Sequence, residues 1–237
     1  MRNMRILAAI GLLGAVTAAN AEGEVSSTWT LASDYDFRGF SQTAKDPAIQ
    51  GSIDFATDTG WYVGAWGSNV DFGPGVDIDL EVDLYTGFSG GEEGGLGWDA
   101  GLVYYAYPDE SDANYAEIYG KLSYGMFSGG LFYSNDWLNL GDSSIYASGD
   151  FGVPLPQNFS LNLHAGYSFG EFFEDLDTEY FDYSVGVGYT AGNFELALKY
   201  VDTTLDSGDP IFSSADANNT EGRVIFTVAT TFPWSNQ

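Results

Sequence analysis

The stretch VDIDLEVDLYTGF (76–88) alternates with a period of two. Val76, Ile78, Leu80, Val82, Leu84, Thr86 and Phe88 fall on one side, and Asp77, Asp79, Glu81 and Asp83 open the other. Successive side chains of a strand point to opposite faces, so this pattern predicts a strand with one apolar and one anionic face. The pattern recurs along the chain. Leu161, Leu163, Ala165, Tyr167 and Phe169 alternate with Ser160, Asn162, His164, Gly166 and Ser168. Phe181 to Tyr189, Phe194 to Tyr200 and Val224 to Phe232 repeat it. About twelve strands are predicted, near 25–36, 47–57, 61–72, 76–89, 96–107, 113–124, 129–137, 143–153, 159–170, 180–190, 193–204 and 221–232. The phase of 61–72 stays open, because aromatic residues fall on both of its faces. No segment shows a convincing amphipathic helical period.

Composition narrows what such strands can build. The chain has 237 residues with 34 acidic and 7 basic ones, a formal charge of -27. A surface this anionic repels nucleic acid. Cysteine is absent, which excludes disulfides and thiolate metal sites. Residues 1–21 read as a secretory signal peptide: Arg2 and Arg5, an apolar run over 6–16, and Ala19-Asn20-Ala21 as the cleavage site. The run is too short to span a bilayer, and no later run reaches the roughly 20 residues a membrane helix needs. Residues 22–237 are then one domain, either a secreted β-protein or a barrel that hides its hydrophobicity in alternation.

The connections favour the barrel. Links after even-numbered strands are short: TDTG (57–60), GGEEGG (90–95), GMFSG (125–129), PLPQN (154–158) and TAGN (190–193). Those after odd-numbered strands are mostly longer and acidic: 36–46, 108–114, 171–179 and 206–221. An up-and-down antiparallel transmembrane barrel with both termini in the periplasm separates its connections this way. Trp29, Tyr35, Trp61, Phe72, Trp98, Tyr107, Trp137 and Trp234 lie near strand ends, as interfacial girdles require.

Within 33–73, Ser33-Asp34-Tyr35, Phe37-Arg38-Gly39, Ser41-Gln42-Thr43, Asp46-Pro47-Ala48 and Trp66-Gly67-Ser68-Asn69-Val70-Asp71-Phe72 resemble the TorF family of porins, small outer-membrane barrels of proteobacteria. Val82-Asp83-Leu84-Tyr85, Tyr104-Tyr105-Ala106-Tyr107-Pro108 and Tyr115 to Gly120 extend the resemblance. It covers most of the chain after residue 21. It implies a barrel in the outer membrane of a Gram-negative bacterium. The chain departs from the common aromatic C-terminus of such barrels, since Phe232 is followed by Pro-Trp-Ser-Asn-Gln.

In a barrel, the anionic face is the lumen. The candidate pore-lining residues are Asp34, Asp36, Arg38, Asp54, Asp77, Asp79, Glu81, Asp83, Asp99, Glu117, Lys121, Asp182, Glu195, Lys199 and Arg223. Dry burial of adjacent carboxylates costs several kcal/mol each, so the lumen should hold water, counter-ions or facing cations. The cations after residue 21 are Arg38, Lys45, Lys121, Lys199 and Arg223. Lys121 shares a face with Glu117, Lys199 with Glu195, and Arg38 with Asp34 and Asp36. Closure of the last strand on the first brings Arg223 towards Asp34 or Asp36. These pairs could form a constriction that acts on permeating solutes, or a structural ladder. Gly101, Gly166, Gly186 and Gly188 would widen the lumen; Tyr105, Tyr115 and Tyr119 would narrow it.

These residues predict passive diffusion of small hydrophilic solutes or ions, with a cation preference. The alternatives are a closed adhesive barrel with acidic surface loops and, more remotely, a membrane lipid hydrolase centred on His164, the only histidine. Ser160 and Asn162 share the face of His164, but same-strand side chains point away in parallel and form no nucleophile–base pair. No cofactor or metal is called for. The acids at 71–79 and 171–177 match no calcium loop. Membrane lipid and lipopolysaccharide are the expected partners; the oligomeric state is open.

Overall fold

A computed structural model describes residues 23–73, 76–92, 94–205 and 219–234. The expected signal peptide and residues 206–218 of the last loop lie outside the described residues. The chain forms a closed antiparallel barrel of twelve strands. In chain order these are β1 (Glu24–Ala32), β4 (Ala48–Ala56), β5 (Trp61–Asn69), β6 (Leu80–Gly91), β7 (Leu96–Ala106), β8 (Tyr115–Tyr124), β9 (Phe127–Ser134), β10 (Ser144–Pro154), β11 (Phe159–Phe169), β12 (Tyr180–Ala191), β13 (Phe194–Thr203) and β14 (Arg223–Phe232). The two remaining strands, β2 (Asp36–Phe37) and β3 (Phe40–Ser41), form a separate hairpin. Each barrel strand pairs with its sequence neighbours, and β1 closes on β14 with Ser27 opposite Phe232 and Ala32 opposite Thr227. With an even strand count, the start of β1 and the end of β14 share one end of the barrel with the short turns. The longer loops share the other.

The alternation in sequence becomes two surfaces. Leu31, Ile49, Ile53, Leu84, Leu102, Ile118, Leu122, Leu131, Val185, Leu198 and Val224 are exposed on the outer wall. Tyr62, Glu81, Asp83, Tyr85, Tyr105, Glu117, Tyr119, Asp182 and Ile225 point inward and are buried. The open phase of 61–72 resolves the same way. Tyr62 and Ser68 are buried inside, while Trp61 and Val63 are exposed outside.

Four expectations change at the loop end. Strand β1 stops at Ala32, so Asp34 and Asp36 come from the segment after it rather than from its inward face. Strand β6 starts at Leu80, so Asp77 and Asp79 lie exposed in the preceding loop rather than on the lumen wall. The phase breaks there because Ile78 turns inward and is buried, and the Val70 amide hydrogen-bonds the Asp79 carbonyl. The link between β5 and β6 is therefore also long. A short helix, α1 (Glu171–Leu176), appears where no helical period was evident; its single turn and a half buries Phe172 and Phe173.

The expected girdle divides in two. Trp61, Trp98 and Trp234 are exposed at the short-turn end, beside Tyr124, Phe127, Phe159 and Phe194, and Trp29 is exposed further along the outer wall. Tyr35, Tyr107 and Trp137 instead turn inward and are buried. They build an aromatic core in the loop-end mouth, where Trp137 packs 4.7 Å from Phe172 and 5.1 Å from Phe173, and Phe173 lies 5.8 Å from Tyr180. Aromatic side chains in a loop can remove more area from water by folding into the mouth than by lying on the surface.

The two faces give a direct check. Leu198→Arg on the outer wall should cost about 2–4 kcal/mol, as a cation in the hydrocarbon does. Ala197→Arg on the neighbouring inner face should cost far less. Urea titration of the barrel refolded in lipid vesicles reads both.

Candidate functional site

The segment between β1 and β4, expected as an outer loop, folds back into the lumen. Its tip is a two-residue turn in which Arg38 has φ 51° and Gly39 φ 87°, with Phe37 opposite Phe40. Positive φ at both central positions is a type I′ turn, whose twist suits a tight hairpin. Glycine adopts that conformation freely, and for arginine it costs about 1 kcal/mol or more. The cost at Arg38 is offset by what the side chain reaches.

Arg38 donates both ends of its guanidinium to Glu117, Nη1 to Oε1 at 2.9 Å and Nη2 to Oε2 at 2.6 Å. Glu117 is 1 % exposed and also accepts from the Tyr105 hydroxyl at 3.0 Å. The guanidinium carbon lies 4.4 Å from the Tyr146 ring centre, 4.7 Å from Phe37 and 5.3 Å from Phe132. Burial opposes the Arg38 charge, but Glu117 more than offsets it and holds the group above its ordinary value. Tyr180 donates its hydroxyl to the Arg38 carbonyl at 3.0 Å.

The base of the hairpin is held from β13 and β14. Arg223 donates Nε to Asp34, Nη2 to Asp36 at 3.0 Å and Nη1 to the Gly39 carbonyl at 2.8 Å. Lys199 donates to Asp36 at 2.6 Å. Lys45 reaches Glu221 of the last loop at 3.5 Å. The approach of Arg223 to Asp34 and Asp36 is thus present. The pairings Lys121–Glu117 and Lys199–Glu195 are not, and neither does Arg38 pair with its sequence neighbours Asp34 and Asp36. Residues four apart on a strand stand about 13 Å apart, beyond ion-pair reach. Arg38, Lys45, Lys199 and Arg223 bind acids brought from distant segments instead. Lys121 has no carboxylate within 4 Å among the described residues; its ammonium lies over Tyr119 and Phe132 at 5.0 and 5.2 Å.

The remaining wall acids are mostly capped by hydroxyls. Tyr85 donates to Asp54, which also accepts from Ser52 at 2.8 Å. Tyr62 donates to Asp99 at 2.6 Å, Tyr35 to Glu81 at 3.2 Å, and Thr190 to Glu195 at 2.8 Å. Asp182 accepts from Tyr146 at 3.2 Å. Asp83 is fully buried on the same strand face as Glu81. These tyrosines explain the inward glycines differently from a simple widening. A Cβ at Gly101 would stand 2.6 Å from the Tyr119 hydroxyl, and one at Gly166 2.1 Å from that of Tyr146. The glycines let tyrosine rings lie flat on the wall.

His164 bridges two carboxylates, Nδ1 to Asp150 at 2.6 Å and Nε2 to Asp182 at 2.9 Å. Asp150 was not singled out from sequence, although it shares the inward phase of Tyr146. Ser160 is hydrogen-bonded by Asn162, and among the described residues no serine hydroxyl hydrogen-bonds His164. Both ring nitrogens are engaged, so no serine is placed for activation by this base. Among the described residues no group of three or more His, Asp or Glu is arranged to hold a metal ion.

The family described as "Bacterial protein of unknown function (Gcw_chp)" matches residues 17–232. The chain belongs to that family. No curated protein sequence matches this Gcw_chp member. Among solved structures it is similar to the KdgM porin, with a TM-score of 0.53 at 8 % identity over 90 % of this chain and 99 % of the other. A structure of the KdgM porin in complex with disordered oligogalacturonate gives the same values. The NanC porin gives 0.52 at 9 % identity, over 88 % and 98 %. At such identities the likeness speaks to the fold alone.

Two outcomes follow from the hairpin base. Arg223→Ala leaves buried Asp34 and Asp36 with Lys199 as their nearest cation, and should cost about 3–5 kcal/mol, as removing one partner of a buried pair does; chemical denaturation measures it. At Asp36, burial works to raise the carboxyl, but Lys199 and Arg223 outweigh it and hold the group below the ordinary aspartate range. A depressed carboxyl stabilises the fold above its ordinary value, and that contribution is lost as pH falls through the depressed one. Stability should therefore fall on acidification below the ordinary aspartate range, and Asp36→Asn should flatten that limb of the denaturation midpoint against pH.

Proposed function

We propose that this chain is an outer-membrane channel for passive diffusion of small hydrophilic solutes, with a preference for cations. The observation that carries the reading is the imbalance of charge on the inner wall. Among the described residues, Asp54, Asp99 and Glu195 are half-exposed to the lumen and have no cation within ion-pair distance. Three of the inward cations, Arg38, Lys199 and Arg223, are spent on internal pairs. An anionic wall around a narrow aqueous path favours cations and opposes anions.

Other features support the same reading. The outer wall is apolar, the barrel closes without an edge, and the fold is like that of two porins. The resemblance of the sequence to the TorF family points the same way. The short-turn end carries the termini and would face the periplasm, after export directed by residues 1–21. Lipopolysaccharide would surround the acidic loops. Twelve strands enclose less than the 16–18 of large porins, so any pore is small. The hairpin and the aromatic core narrow it at the loop end.

That packing also favours a second reading, a sealed barrel whose acidic loops serve at the surface. Planar-bilayer recording of the refolded barrel under a KCl gradient separates the two. The channel reading expects a stable conductance with a cation-selective reversal potential, shifted towards zero by neutralising Asp54, Asp99 and Glu195 together. A folded barrel without conductance would leave the sealed reading.

A further inference from the structure

The Arg38 pocket has the composition of a ligand site, and a residue of the chain itself fills it. Glu117 presents a planar carboxylate to both ends of the guanidinium fork. The Tyr105 hydroxyl orients that carboxylate. Phe132 and Tyr146 offer ring faces from β9 and β10, on the far side of the lumen from the start of the hairpin. Aromatic faces with a buried carboxylate suit a planar, weakly hydrated cation better than a compact ammonium. Arg38 reaches this pocket only through a turn that an arginine adopts at a cost, on a hairpin of two-residue strands.

Glu81 and Asp83 are buried on β6 near the pocket, and Asp83 stands opposite Trp66 and Tyr105 in register. Meanwhile the hairpin is fastened at its base by ionic contacts from Arg223 and Lys199 that a charged solute or salt can weaken.

We propose that Arg38 is a tethered pseudo-ligand, occupying a site for small guanidinium-bearing solutes between Glu117, Phe132 and Tyr146. The proposal rests on the cation-channel reading and names the solute class at its constriction. A solute that takes the place of Arg38 on Glu117 releases the Arg38 side chain, while Tyr180 and Arg223 still hold the turn through its carbonyls. Because Arg38 is held at the site by its own backbone, a free solute competes against an effective concentration of about millimolar or higher. Occupancy in the native chain is correspondingly weak, which suits a solute that must also leave.

Removing the tethered group exposes the site to test. Thermal unfolding of the full refolded barrel is measured with ethylguanidinium, ethylammonium or sodium as the chloride salt. In Arg38→Ala, ethylguanidinium should raise the unfolding midpoint at concentrations at least about tenfold below those at which ethylammonium acts, since only the former restores the bidentate fork. The native chain should respond far less in the same range, and adding Glu117→Gln to Arg38→Ala should abolish the response. Arg38→Lys, which keeps the charge but not the fork, should bind ethylguanidinium more tightly than the native chain does. Equal responses to both organic cations, a response that survives Glu117→Gln, or no gain in Arg38→Lys would each overturn the site. The readout does not depend on conduction. A barrel that binds guanidinium but never conducts keeps the site and loses the channel reading. One that conducts cations without this selectivity loses the site alone.

Discussion

In hydrocarbon, an unpaired strand edge would leave a row of amide and carbonyl groups unsatisfied at several kcal/mol each. The pairing of β1 with β14 removes that edge. Once the sheet is closed, each strand has an inside and an outside, and a period of two in the sequence becomes a division between an apolar outer wall and the lumen. Carboxylates that would be misplaced in a dry protein core find an interior where water, hydroxyls and a few cations can meet them.

The interior is graded along its axis. At the short-turn end the inward side chains are small or polar and half-exposed, with tyrosine rings laid flat over glycines. At the loop end the hairpin, α1 and Trp137 fill the mouth with aromatic and ionic contacts. Four of the five cations after residue 21 sit in, or fasten, the segment 34–45 or its neighbouring loop. In a chain so poor in positive charge, that concentration shows where order in the lumen is bought.

Periodicity made the barrel legible, because face alternation is local and recurs on every strand that closes the wall. Arg223 near Asp34 and Asp36 was legible too, since closure of an even-stranded barrel brings the two ends of the chain together. The partners of Arg38 and Lys199 were not, because the same-face logic compares residues too far apart to touch. Asp77 and Asp79 misled because alternation continued past the point where the strand ends. The signal for the inserted hairpin lay in its composition: Phe37 and Phe40 flank an Arg-Gly pair, an odd content for a loop exposed to water. Phe172 and Phe173 marked α1 in the same way. Which distant carboxylate such a loop would meet depends on the tertiary fold, and Glu117 lies 79 residues from Arg38.

The anchor at the hairpin base joins Asp34 to Arg223, 189 positions later. Arg223 lies on β14, the strand that closes the barrel against β1. Parting that seam carries Arg223 away from Asp34, Asp36 and the Gly39 carbonyl, so the fastening of the hairpin inside and the closure of the wall outside are one structural unit.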